Sequence, residues 1–439
     1  MRRSGATRGL GAVVVALLLA LIAVPARADA PSVSRTRLPN GLTVLVRENP
    51  TAPVVAISLM VKMGTRWETP ANAGISNLVQ VMAVRGTPTR NGTQIVEQAD
   101  AMGGSIEATG DVDASEIAAT ALARNWVEML DLVSDVALHP TMPEPVVQAV
   151  RDFLIRQLRN RGDKPYDVAF DTLTARLFGR HPYAWDPIGL KESLERLDRP
   201  ALLEHYRRHY VPGGLVLAVS GRVKTAEVVT QAGRLFGAMP GGPVPVAAPP
   251  APPAPATWRE TRVVPGAQAQ ILMGSLAPAL TDPDYPAVKV MSTVLGGGMA
   301  GRFFSELRDK QGLAYTTGTQ YPARVDQSFF LAQLGTAPEN VARAETALRE
   351  QLVRVQRERV GDEELRVAKA YVLGNLAMDR RTNARQAWYL AAYEEAGVGY
   401  EFLDRYVGAV RAVTAADVQR VAQRYLAVIR TIIVQPTPP

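Results

Sequence analysis

The chain has no cysteine among its 439 residues. That excludes disulfides, thiolate metal sites, a cysteine nucleophile and a lipid-attachment cysteine. Histidine is scarce, with four in all, at positions 139, 181, 205 and 209. Beyond the first 28 residues no apolar run is long enough to read as a membrane span.

What is present begins with a secretory pattern. Arg2, Arg3 and Arg8 precede the apolar run Leu10 to Val24, and Ala26-Arg27-Ala28 offers a small-x-small cleavage site. Cleavage after Ala28 is expected; the competing reading is an uncleaved anchor, for which the run is marginal in length. The signal carries four Arg and no acid, so its removal takes the formal charge from +7 to +3. The basic character is therefore a property of the leader, and no nucleic-acid partner or lasting membrane anchor is expected. An exported, cysteine-free chain points to a periplasmic or otherwise exported location. At 47% apolar residues, the length suits two globular domains rather than one core.

The mature chain opens as strand, turn, strand over Thr36 to Val46, with Asn40-Gly41 as the turn, and an apolar strand follows at Val54 to Val61. Helical spacing covers Ala73–Val84 and Thr93–Met102, and strands follow at Ser105–Ala108 and Glu116–Ala123. Three further helices occupy Trp126–Ala137, Pro143–Arg159 and Pro165–Phe178; a helix at Pro200–His209 and a strand at Leu215–Ser220 end this half. Residues 239–256 are dominated by Pro, Ala and Gly, a stiff extended linker. Beyond it the plan repeats: strands near Thr261–Val264 and Ala269–Met273, a helix at Tyr285–Leu295, a short helix and two strands, helices from Asn340 to Gly397, and a final helix and strand over Thr414–Val434. The expected fold is α+β: two homologous domains in a clam-shell arrangement, each a mostly antiparallel sheet with helices on one face. The boundaries read as signal 1–28, first domain 29–238, linker 239–256 and second domain 257–439.

Arg308 leaves the last turn of the short helix and Tyr315 starts the next strand, with Gly312 placed to end the helix. Both side chains are donors able to stabilise an oxygen gaining negative charge. A basic residue near a helix C-terminus and a tyrosine in a strand also have ordinary structural uses. Gly296 to Gly301 fits G-x-G-x-x-G, but a helical segment precedes it where a dinucleotide site needs a strand. A helix–helix hinge fits better. His205 and His209 have the i, i+4 spacing of a zinc pair, yet two Arg and no Glu lie between them. Ordinary helix surface is expected there, and loop positions for His139 and His181.

Leu295-Gly-Gly-Gly-Met299, Arg302, Glu306-Leu307-Arg308 and Gly312-Leu-Ala-Tyr315 resemble the C-terminal domain of pitrilysin/insulinase-type zinc peptidases. The resemblance spans nearly the whole chain after residue 31. It implies that Arg308 and Tyr315 reach a zinc-bound substrate held by another domain. The family's active domain carries H-x-x-E-H, with a third ligand on a later helix. Here Gly64 to Pro70 and Gly74-Ile-Ser lead into Asn77-Leu-Val-Gln80-Val81. Asn77 and Val81 stand at the two histidines, Gln80 at the general base and Gln157 at the third ligand, counting back from Asp163-Lys-Pro165. No metal or cofactor is expected in this chain. Ser105, Ile106, Glu107 and Ala108 resemble the edge strand that accepts an extended peptide; a plain sheet edge is the equal alternative. The combination resembles the subunit that lends Arg and Tyr to a homologous H-x-x-E-H partner, where zinc is expected. The competing reading is a non-catalytic scaffold. A neighbouring reading frame for an exported H-x-x-E-H protein would favour the enzyme, and its absence the scaffold.

Overall fold

The computed structural model describes residues 32–437. The signal and its cleavage site lie outside them. Among the described residues no helix is long and apolar enough to cross a membrane.

The first half supplies β1 (Val33–Arg37), β2 (Thr43–Glu48), β3 (Val54–Val61), α1 (Ile75–Ala83), α2 (Gly92–Ala101), β4 (Ser105–Gly110) and β5 (Ser115–Leu122). It continues with α3 (Trp126–Leu138), α4 (Glu144–Gly162), α5 (Pro165–Phe178), α6 (Arg199–His209), β6 (Leu215–Gly221) and α7 (Thr225–Phe236). The second half has β7 (Trp258–Val264), β8 (Ala269–Ala277), α8 (Tyr285–Gly296), a π-helix at Phe303–Lys310, β9 (Thr316–Gln320) and β10 (Ser328–Thr336). Then come α9 (Val341–Arg357), α10 (Asp362–Asp379), α11 (Asn383–Glu395), α12 (Phe402–Ala412), α13 (Ala415–Tyr425) and β11 (Arg430–Pro436).

The sheets run β1-β2-β6-β3-β5-β4 and β7-β11-β8-β10-β9. Apart from the extra edge strand β1, the two orders are the same. Only β2–β6 and β7–β11 pair in parallel. The helices α7 and α12, which sequence patterning left unassigned, carry inward stripes at Val228, Ala232, Phe236 and at Leu403, Tyr406, Val410.

Each sheet carries its own half's helices on one face, as expected. The opposite face is closed by one helix from the other half. Ala387, Leu390 and Ala391 of α11 pack on Leu45, Ala56, Met60 and Ala218 of the first sheet. Ala169, Leu173 and Leu177 of α5 pack on Leu272, Leu331, Ile432 and Val434 of the second. Burial on both faces explains why β3 and β6 are apolar at nearly every position, whereas β4, with one face exposed, alternates. Asn383 at the start of α11 donates to Val54 O at 3.0 Å, and Arg66 binds Asp326 through two hydrogen bonds of 2.5 and 2.9 Å. Residues 239–256 form no regular element. Their carbonyls are nevertheless used: Trp67 Nε1 donates to Pro245 O, and the Arg430 guanidinium donates to Ala254 O and Ala256 O.

His205 and His209 are not helix surface. With Leu202 they form the i, i+3, i+7 stripe that α6 turns inward. His209 Nδ1 lies 2.5 Å from Lys62 O and His205 Nε2 lies 3.0 Å from Ser76 Oγ. His181 is also buried, its Nδ1 accepting from Tyr183 N; only His139 is exposed. Burial first, then neighbouring positive charge, pulls His205 down to about 3; burial pulls His209 down to about 4.

Leu173→Ala on the lent helix α5 should cost about 2–5 kcal/mol, as for other buried leucines. Denaturant unfolding should show both halves shifting in one transition; a second transition leaving one sheet folded would contradict the mutual cover. The histidine pair sets an acid limit. Its folded values lie below the unfolded 6.5, so stability is complete above that pH. As pH falls toward 4 and then 3, the unfolded chain binds protons that the folded chain refuses, costing about 1.4 kcal/mol per pH unit per histidine. His205→Gln with His209→Asn should flatten this slope in unfolding titrations; an unchanged slope would refute it.

Candidate functional site

The helix α1 starts at Gly74, whose φ of +93° and contact with the Ile188 carbonyl, 2.4 Å from where a Cβ would stand, leave room for no side chain. Its exposed N–H groups are met by Glu68, which accepts from Gly74 N at 2.8 Å and Ser76 N at 2.9 Å, with Trp185 Nε1 donating at 3.4 Å. A carboxylate at a helix N-terminus is favoured by the backbone dipole. Burial nevertheless pushes its pKa up. The segment from Gly64 to Pro70 thus clamps the start of α1.

From that fixed start Asn77 and Val81 face a cleft of about 760 Å³. Gln157 enters from α4, and Ile106, Glu107 and Ala108 from β4. The structure therefore gathers Asn77, Val81 and Gln157, three of the four positions that the resemblance assigns to zinc ligands and base, with the candidate peptide-accepting strand. Ser105 is not in this wall; its Oγ lies 3.2 Å from Thr120 Oγ1. Gln80 is also absent from the wall. It is fully buried, donating to Glu116 O at 2.7 Å and accepting from Tyr210 Oη at 2.8 Å. This tie was not foreseen from sequence, although Tyr210 is the one buried phenol just past α6. Most of the remaining wall is aliphatic or aromatic, including Val146, Val150 and the half-exposed Phe153. With Gln157 these repeat at four, three and four residues along one face of α4, a stripe legible in the sequence.

The family's zinc does not fit these residues. Val81 has no donor atom, Asn77 and Gln157 offer neutral amides, and the amide nitrogen and oxygen of Gln80 are both engaged. Among the described residues no group of three or more His, Asp or Glu side chains is placed to hold a metal.

The second half presents the other pair. Arg302 ties the π-helix to α10 through two bonds to Glu364, 2.6 and 2.8 Å, while Phe303 and Leu307 are fully buried. The wider π turn differs from the expected ordinary helix and is a form often found at functional sites. Gly312, at φ +63°, ends it, and Tyr315 N donates to Gly335 O at 2.9 Å. Arg308 is exposed, with its guanidinium carbon 4.9 Å from the Phe304 ring centroid. Tyr315 is 56% exposed. Neither side chain has a hydrogen-bond or ion-pair partner among the described residues, and neither lines the α1 cleft. The glycines of 296–301 serve close packing: a Cβ on Gly296 would stand 2.6 Å from Thr319 N. A helix precedes them, as the sequence indicated.

Comparison with known proteins follows the same division. The insulinase (peptidase family M16) model matches residues 43–186, and the peptidase M16 inactive-domain model matches residues 196–372. A Rickettsia bellii protein named an uncharacterized zinc protease is 25% identical over 404 residues, covering 89% of this chain and 94% of that one. A Mycobacterium tuberculosis protein of like name is 28% identical over 410 residues, 92% of each. The crystal structure of a peptidase M16 inactive domain from Pseudomonas fluorescens superposes with a TM-score of 0.86 at 22% identity, covering 93% of this chain and 99% of that one. With both halves of one two-domain plan matched in order along the chain, this protein belongs to the insulinase (M16) peptidase family.

Proposed function

We propose that the chain is an exported subunit of a heteromeric zinc endopeptidase, without a zinc site of its own. A homologous H-x-x-E-H partner supplies the metal and the general base. Arg308 and Tyr315 act on the peptide held there. The guanidinium is a fixed positive charge and the phenol a neutral donor, and both strengthen their hydrogen bonds as the scissile carbonyl oxygen becomes an oxyanion. The free edge of β4, joined only to β5, offers backbone groups to an extended peptide. That recognition is independent of the lost ligands.

One contrast carries this reading. The positions that would bind metal carry two amides and a valine, while Arg308 and Tyr315 remain exposed and without hydrogen-bond partners among the described residues.

Two measurements test it. The purified chain alone should retain no stoichiometric zinc after dialysis and cleave no peptide; one tightly held zinc per chain would overturn the assignment. Mixed with its partner, Arg308→Ala or Tyr315→Phe should cut turnover about a hundred- to a thousandfold, the usual effect of losing one positioned oxyanion donor. Size-exclusion chromatography should show assembly unchanged. Wild-type rates from both variants would leave a scaffold role as the better reading.

A further inference from the structure

The second half has its own cleft at the place matching the first, between α8, β9 and α10, with α11 and α12 completing it. Its volume is about 490 Å³, within the range of small-ligand sites. The first cleft is mostly aliphatic; this one is lined by phenols.

Tyr285 is buried at 5% exposure, and its hydroxyl has no hydrogen-bond partner among the described residues. The hydroxyls of buried Tyr406, its ring centroid 5.6 Å from that of Tyr285, and of half-buried Tyr393, linked to Tyr406 through Phe402, also have no partner among the described residues. Lys289 lies one helical turn after Tyr285. It donates to Tyr321 O at 2.6 Å and has no carboxylate within 4 Å among the described residues. The acid on the wall, Asp379, is already spent: Arg385 binds both its oxygens, at 2.7 to 3.1 Å, and Tyr389 donates to it at 2.6 Å. The cleft therefore holds several phenol hydroxyls without partners, those of Tyr285, Tyr393 and Tyr406 among them, and an ammonium with one hydrogen bond, while the carboxylate on its wall is already paired. Burial pulls Lys289 down to about 8, which still leaves it mostly charged at neutral pH. A desolvated charge without a counter-ion is costly, and an incoming anion would relieve that cost.

We propose that this cleft binds a carboxylate borne on an apolar or aromatic body, Lys289 pairing with its charge and the hydroxyls of Tyr285, Tyr393 and Tyr406 donating to its oxygens. The aromatic walls, Trp388 among them, take the body. The chain terminus of a peptide and a small carboxylic acid share this chemistry. The site does not depend on Arg308, Tyr315 or a partner subunit, so it stands or falls separately from the peptidase reading.

The test is isothermal titration of the whole chain, alone, with phenylacetate, phenylacetamide, and the peptide Ala-Ala-Ala-Phe with a free or an amidated C-terminus. Saturable binding of at least one acid is expected. The matching amide should bind about tenfold more weakly or worse, because a charge-assisted bond is lost. Binding of the peptide acid alone identifies a peptide terminus; binding of phenylacetate alone identifies a small acid. Lys289→Met should reproduce the loss seen with the amides. Tyr406→Phe, which keeps the ring, should weaken binding several-fold and serves if the lysine variant does not fold. Failure of both acids to bind, equal binding of acid and amide, or undiminished binding by the folded variants overturns the proposal.

Discussion

The exchange of one helix between the two halves is the constraint on which the rest of the structure depends. A strand such as β6, buried along all seven residues, must be covered on both faces. Each half's own helices cover one face of its sheet. The second is closed by α11 on the first sheet and by α5 on the second. Removing either helix would expose aliphatic side chains to water at about 25 cal/mol per Å². The Pro-rich segment thus divides the chain in sequence without separating two independent cores. The same exchange fixes how the two clefts are held relative to each other.

Within that frame, the side chains at the start of α1 and around the first cleft are tied into the fold. Glu68 seats the start of α1, and Gly74 permits the tight approach beneath it. Gln80 is a structural tie between α1, β5 and Tyr210. A water-activating group must face the substrate and accept a proton; Gln80 is a neutral amide and faces the sheet. The two halves have also diverged in wall chemistry, aliphatic around Asn77 and phenolic around Lys289.

Most strands and helices were legible because their spacing is regular and their ends are marked by Gly, Pro and Asn. The placement of Asn77, Val81 and Gln157 in one cleft also followed, since motif spacing fixes which turn of which helix is meant. The second cover of each sheet was not read, although unbroken runs such as Val54–Val61 signal burial on two sides. The histidines were misjudged because a polar ring on an inward stripe looks like surface until its partner is known. Here the partners are Lys62 O and Ser76 Oγ, more than a hundred residues away in sequence. The phenol cluster was invisible for a related reason: Tyr285, Tyr393 and Tyr406 come from three helices, and no local pattern joins them.

The helix exchange also bears on how the chain reaches its native state. The last residue needed to cover the first sheet is in α11, beyond position 380, while that sheet is otherwise finished by β6 at Gly221. A ribosome releasing the chain from its N-terminus therefore produces a first half with one oily sheet face open until most of the second half has emerged. Such a face is what holding chaperones bind and what drives aggregation when they are absent. The first sheet can close only after Asn383–Glu395 has emerged, so the nascent first half must be kept apart from its own copies until then.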